Sequence, residues 1–283
     1  ALWDFTIYLS VAIAILPFPL KFLPQILLGA MFAHGIELQH ELIHQKHFNQ
    51  QVRSLLGFLC GLPMLVDFTR YAATHGHHHR AVGTQEDEES LPMTSIASVP
   101  PAGFLIHLSM LSHYQQALRN IGAAIAGDRQ TLRASLGNAG VRLPECQVDR
   151  IRWGYVGMAG ILVTMVGISV GLHAPVLLYL WVMPLLAASP IHALIELPEH
   201  WGCDRNTADC LKNTRTIIPS KFTEWFTNGN CWHVEHHQNP ALPVEQLATL
   251  HRQLAADIQF ISVGYGAFYA EFLSRLWQKR SLA

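Results

Sequence analysis

The sequence predicts an all-α integral membrane fold, with four transmembrane helices in two hairpins, interfacial helices and a histidine-rich polar cap. Three observations carry that expectation. Half of the residues are apolar and only 14% are charged, against roughly 25% in soluble domains. The apolar residues gather into four runs that pair across tight turns. Seventeen of the 283 residues are histidine, and most of these cluster beyond the ends of the runs. The mean hydropathy of only +0.21 is modest for such a fold, so a polar part must balance the spans.

The first run covers residues 5–20 and the second 22–40, joined by the turn Pro17-Phe-Pro-Leu-Lys21. The third is Trp153–Leu172 and the fourth Pro175–Leu194. A helix needs about 20 residues to cross the hydrocarbon of a bilayer. The third and fourth runs meet that length, the first is short, and the second loses its apolar character after Ala33. Ser54–Phe68 is apolar but would reach only about 22 Å as a helix. A crossing there would also put the histidines on its two sides on opposite faces of the bilayer, so it reads as an interfacial helix. Ala102–Tyr114 looks similar, and 115–150 is polar with a helical composition.

The chain is therefore read as a single domain, 1–283, with 41–152 and 195–283 outside the bilayer. Every Lys and Arg except Lys21 falls in those outer segments, and the positive-inside rule makes them cytosolic. The expected localisation is a multi-pass membrane protein whose histidine clusters face the cytosol. A net charge of −1 with no basic stripe argues against nucleic acid as a partner. The five cysteines form no CxxC pair and are expected as free thiols in a reducing compartment. The chain opens at Ala1 without a methionine, which leaves open whether residues precede it, and no signal-peptide pattern is visible.

The first histidine cluster is His40-Glu-Leu-Ile-His44-Gln-Lys-His47. On a helix, His40 and His44 sit one turn apart on one face, spaced to grip one metal region. His47 lies on the same face as an extra candidate, although a polar surface residue is its commoner role. The second cluster, His75-Gly-His77-His78-His79, contains the spacing HxxHH as His75, His78 and His79. The third, His233-Val-Glu-His236-His237, repeats it. One such match is expected by chance about 0.06 times per chain at this histidine frequency, so two copies are a strong signal. In a helix the pattern places i, i+3 and i+4 on one face, and the adjacent pair can address neighbouring metals.

His200, in Glu196-Leu-Pro-Glu199-His200-Trp-Gly, follows the fourth run onto the same surface. His192 reads as a core or outer-layer histidine. His34, His77, His107, His113, His173 and His251 lack a partner pattern and read as structural or exposed. Nine imidazoles exceed what one tetrahedral zinc takes and suit two metals. Imidazole suits iron, zinc, copper and nickel alike, so the ligand type does not choose among them. Carboxylates should fix the imidazole tautomers. Asp87, Glu196, Glu199 and Glu235 are the main candidates, with Glu37 and Glu41 near the first cluster. A metal transporter is the rival from another class, but transporters line a path within their spans with ionisable groups. Here the clusters sit at span ends and beyond.

At this point the residues resemble the membrane fatty acid desaturase superfamily, which also contains alkane and carotenoid hydroxylases. The resemblance runs from His40 to about His251. Glu199-His200-Trp-Gly-Cys203, Asn213-Thr-Arg-Thr216 and His233-x-Glu-His-His-x-x-Pro240-x-x-Pro243-x-x-x-Leu247 resemble a bacterial desaturase-like branch. So do Arg70-Tyr71, Thr84 and Asp87-Glu88 around the second box. The resemblance implies a non-haem di-iron centre on His40, His44, His75, His78, His79, His200, His233, His236 and His237. Two Fe ions would be the cofactor, O₂ the co-substrate, and zinc an artefactual substitute. The implied reaction is oxidation of an unactivated C–H bond in a fatty acyl or lipid-like chain. Desaturation to a C=C bond is the first reading, and hydroxylation or acetylenation the alternative. His77 departs from the pattern, and the HxxxH spacing of the first box also occurs in hydroxylases. The implied partners are an external electron donor such as ferredoxin, and an acyl chain carried by lipid, CoA or acyl carrier protein.

Overall fold

The apolar run at 153–172 folds as the core of a 27-residue helix, Glu145–Gly171. At 1.5 Å per residue it reaches about 40 Å, more than a bilayer's hydrocarbon. Val163, Val166, Ile168 and Val170 stand exposed along its second half, a surface that lipid and not water would cover. The fourth run lies in a second long helix, Leu178–His200. These two helices are long and apolar enough to cross a membrane, and a bent pair over Gln50–Ala81 would make a third span. The chain is a membrane protein. The computed structural model describes residues 2–17, 19–45, 48–89, 101–140 and 143–280. His47 lies outside them.

In chain order the helices are α1 (Leu2–Ile15), α2 (Phe22–His44), α3 (Gln50–Gly61), α4 (Phe68–Ala81), α5 (Pro101–Leu108), α6 (Leu111–Ala126) and α7 (Arg129–Ala134). They continue as α8 (Glu145–Gly171), α9 (Leu178–His200), α10 (Cys210–Asn213), α11 (Lys221–Phe226), α12 (His233–Gln238), α13 (Val244–Leu254) and α14 (Gly264–Arg280). Two short strands, β1 (Thr216–Ile217) and β2 (Ile261–Ser262), pair in parallel with Thr216 opposite Ile261. The chain divides into two compact units, Ala1–Thr74 with Ile106–Ala193, and His75–Leu105 with Leu194–Ala283.

In the first unit, α1 is only 14 residues long, about 21 Å, so the expected first span is short. α2 has the length at 23 residues, but its last two turns carry Glu37, Gln39, His40 and Glu41. Close backbone approaches hold these helices. A Cβ at Gly35 would stand 2.9 Å from the Cys60 carbonyl on α3, and one at Gly29 would strike the Pro184 carbonyl on α9. The segment expected to be interfacial does not continue straight. After α3 come a 3₁₀ turn at Leu62–Met64 and Leu65 at φ 58, and α4 leaves at 92°. Pro63 lacks the N–H that would continue the helix. The Gln39 amide satisfies two of the exposed carbonyls, donating to Gly57 at 2.8 Å and Val66 at 3.1 Å. Asp67 then caps α4 by accepting from the Arg70 N–H at 2.8 Å. Within α9, Leu178–Val182 is π-helical. Pro184 explains this, because it cannot donate to the preceding turn and a wider turn lets the helix continue.

The second unit packs around Leu197, Trp201, Ile217, Cys231, Trp232, Leu247, Phe268 and Phe272. Arg215, just before β1, ties this core together. Its guanidinium donates to the carbonyls of Pro198 at 3.1 Å and Trp201 at 2.9 Å, and to Ser262 Oγ at 3.2 Å. It also lies 5.1 Å over the Phe268 ring. The five thiols are free.

Candidate metal centre

The second unit brings seven of the predicted histidines together. α4 contributes His75, His78 and His79, the end of α9 contributes His200, and α12 contributes His233, His236 and His237. The HxxHH spacing does what helical geometry requires, setting i, i+3 and i+4 on one face. The adjacent members then part company. His78, His200, His233 and His237 form one group whose ligand atoms lie within 4.8 Å of one another. His75, His79 and His236 converge beside it, with the rings of His79 and His237 centred 4.3 Å apart. His40 and His44 lie together in the first unit, one turn apart on α2, with ring centroids 5.1 Å apart.

The tautomers follow from what each Nδ1 faces. His78 Nδ1 is 3.0 Å from Asp87 Oδ1, and His200 Nδ1 is 3.0 Å from the Asn213 carbonyl. His233 Nδ1 is 2.9 Å from Asn230 Oδ1. The orientation of that amide is fixed, because Asn230 Nδ2 donates to Glu199 Oε1 at 2.9 Å. All three partners are acceptors, so each Nδ1 carries the proton and each Nε2 presents a lone pair. These Nε2 atoms converge with that of His237. His78 and His237 Nε2 are 3.3 Å apart, His237 and His233 3.2 Å, and His233 and His200 3.3 Å. Facing lone pairs without protons between them repel, and a cation among them removes the repulsion. Burial, and then the neighbouring imidazoles, hold His237 well below its ordinary pKa, which keeps it in the neutral form that binds metal. In the second group His75 follows the same rule. His75 Nδ1 faces Glu89 Oε1 at 2.8 Å, and its Nε2 lies 2.9 Å from that of His79, which lies 3.1 Å from that of His236. The donor set therefore fits metal ions.

Of the predicted carboxylates, Asp87 orients His78 directly. Glu199 acts through Asn230 and also places Oε2 3.3 Å from His233 Nε2. Glu235 is fully buried and bonds Thr216 and His251. Glu196 lies near enough to His78 and His200 to act on both electrostatically. His77 stays out of both groups and bonds the Glu86 carbonyl at 3.0 Å. His113 donates to the Met64 carbonyl at 2.9 Å, a structural role as expected. In the first unit, His192 stands 3.7 Å from Glu37. Glu89, Asn213, Asn230 and Thr216 were not singled out by the sequence as orienting groups. His251, read as structural or exposed, is bonded to a carboxylate that lies between two histidines of the third box.

No curated protein matches the chain. The family model described as fatty acid desaturase matches residues 17–269, which include all nine candidate ligands, and the chain therefore belongs to the fatty acid desaturase family.

Proposed function

We propose that the chain is a membrane di-iron oxidase that uses O₂ to introduce a double bond into a fatty acyl chain. The observation that supports this most is the convergence of seven imidazoles through their Nε2 atoms in the second unit, within a family of desaturases. In this reading His78, His200, His233 and His237 would hold one iron and His75, His79 and His236 the other, with His40 and His44 as the further ligands that the family resemblance implies. Two irons so held would supply the O₂ chemistry that an unactivated methylene requires, which no side chain offers.

The chain's own work is binding and orientation. Asp87, Asn213, Asn230 and Glu89 keep the Nδ1 protons on the outer side of the rings, so that each Nε2 faces inward. Burial of His75, His78, His200, His233 and His236 keeps water from competing for the same positions. The apolar surface of α8 and α9 keeps the protein in the bilayer where its substrate lies.

The proposed topology puts the histidine clusters on the cytosolic side, with the turns near residues 19 and 173 facing away. The distribution of basic residues supports it. Electrons come from a separate cytosolic carrier such as ferredoxin, and the acyl chain arrives on a glycerolipid, CoA or acyl carrier protein. The test is lipid profiling of a host that expresses the gene with iron supplied. A new double bond, lost in a His236→Ala variant, is expected. A hydroxylated chain would move the protein to the alternative reaction of the same family, and an unchanged lipid profile would refute the oxidation of acyl chains.

A further inference from the structure

Helix α12 is six residues long, far too short to be stable by itself. It nevertheless delivers His233, His236 and His237 to two groups at once. Something outside it must set its position. Among its ligands lies Glu235, whose carboxylate has no exposed surface. A buried carboxylate requires partners, and Glu235 has one on each oxygen. Thr216 Oγ1 on β1 donates to Oε2 at 2.6 Å, and His251 Nδ1 on α13 lies 2.6 Å from Oε1. The same Thr216 hydroxyl accepts from the Val234 N–H at 3.3 Å, and the His251 ring lies against Trp232, with centroids 4.8 Å apart. The carboxylate thus joins α12 to β1 on one side and to α13 on the other.

We propose that His251 is a positioning residue of the metal centre. By holding the Glu235 carboxylate it fixes the rotation at which α12 presents its three imidazoles. The inference rests on the metal-centre reading above, and it concerns a histidine outside every box. His251 acts through Glu235 and the backbone of α12 and touches no metal. Helical spacing makes the point sharper. Rotating α12 by a fraction of a turn would displace His236 and His237 together, so both groups would register the change.

The test is Co²⁺ titration of the purified full-length protein, followed by its visible absorption, with thermal unfolding measured in parallel. Wild-type protein should bind two Co²⁺ ions per chain. His251→Ala should weaken binding by about 10- to 100-fold, the usual effect of losing an outer-layer partner, and alter the absorption of the complex that remains. His251→Asn offers an amide N–H near the position of Nδ1 and should restore both the affinity and the spectrum. Thr216→Val removes the other donor and should reproduce the loss, which keeps the proposal testable if the alanine variant does not fold. A folded His251→Ala protein with wild-type affinity and absorption would overturn the inference, as would His251→Asn behaving no better than His251→Ala. Wild-type protein that takes up no metal would instead sink the metal-centre reading, and this inference with it.

Discussion

Replacing Asn230 with alanine should remove one metal ligand without touching it. Asn230 Oδ1 holds the His233 Nδ1 proton at 2.9 Å, and its Nδ2 occupies Glu199 Oε1 at 2.9 Å. Without the amide, His233 Nδ1 loses the acceptor that holds its proton there. Glu199 Oε2, 3.3 Å from His233 Nε2, then becomes the better acceptor. The proton moves to Nε2, where it points at the three other Nε2 atoms and blocks ligation. One lost neutral hydrogen bond is worth about 1 kcal/mol. Loss of such an orienting partner typically weakens metal binding about 10- to 100-fold, or about 1.4–2.8 kcal/mol at 1.4 kcal/mol per decade. The effect should fall on the four-histidine group and spare the other. Competition titration with a chromophoric chelator would read two equal tight sites in the wild type, and one tight and one weakened site in Asn230→Ala. Two unchanged sites would refute the tautomer argument. Equal weakening of both, with a lowered unfolding temperature, would show that Asn230 matters only for folding.

Alanine at His236 or His237 should abolish turnover, whereas alanine at His107 should leave it largely intact; equal loss at all three, assayed by product formation, would mean the losses reflect folding. The His237 contribution to stability should depend on pH with a defined sign. Its folded pKa lies below the unfolded value, so the contribution is complete above about pH 6.5 and is lost progressively as the pH falls from there toward the folded pKa. In the metal-free protein, His237→Gln should therefore flatten the fall in unfolding temperature between about pH 6.5 and pH 5, and an unchanged slope would contradict this. Gly35→Val should destabilise the first unit by about 1–3 kcal/mol through overpacking against Cys60, while Gly160→Ala, with nothing within 4 Å, should leave the unfolding temperature unchanged or slightly raised. Comparable losses in both would count against the close approach of α2 and α3.

Much of the centre was legible because its spacing is local. The i, i+3, i+4 repetition in the second and third boxes is helical geometry written in sequence, and it allowed adjacent histidines such as His78 and His79 to address neighbouring groups. His200 had no such spacing and was a candidate because it follows the fourth run onto the same surface. What the sequence hid are partners brought in from a distance. Asn230 sits in Asn228-Gly-Asn230, which reads as an ordinary turn. Glu89 belongs to the acidic run Glu86–Glu89, which reads as solvated. His251 bonds Glu235 across 16 positions, and Thr216 bonds it across 19, so no periodicity links them. The long apolar helices were equally readable at 153–172 and 175–194. Composition misjudged the detail where prolines act, since Pro63 helps to turn the chain by 92° between α3 and α4 and Pro184 widens α9 into a π turn.

The central claim is that these imidazoles hold two irons in one chain. Protein purified from iron-supplied cells should be measured for metal content and for the nearest donor atoms by X-ray absorption at the iron edge. The account predicts two irons per chain in a shell of nitrogen donors, with both ions lost together with activity on chelation and both restored by ferrous iron. One exchangeable zinc per chain with no iron, and no gain of iron under any loading condition, would contradict it.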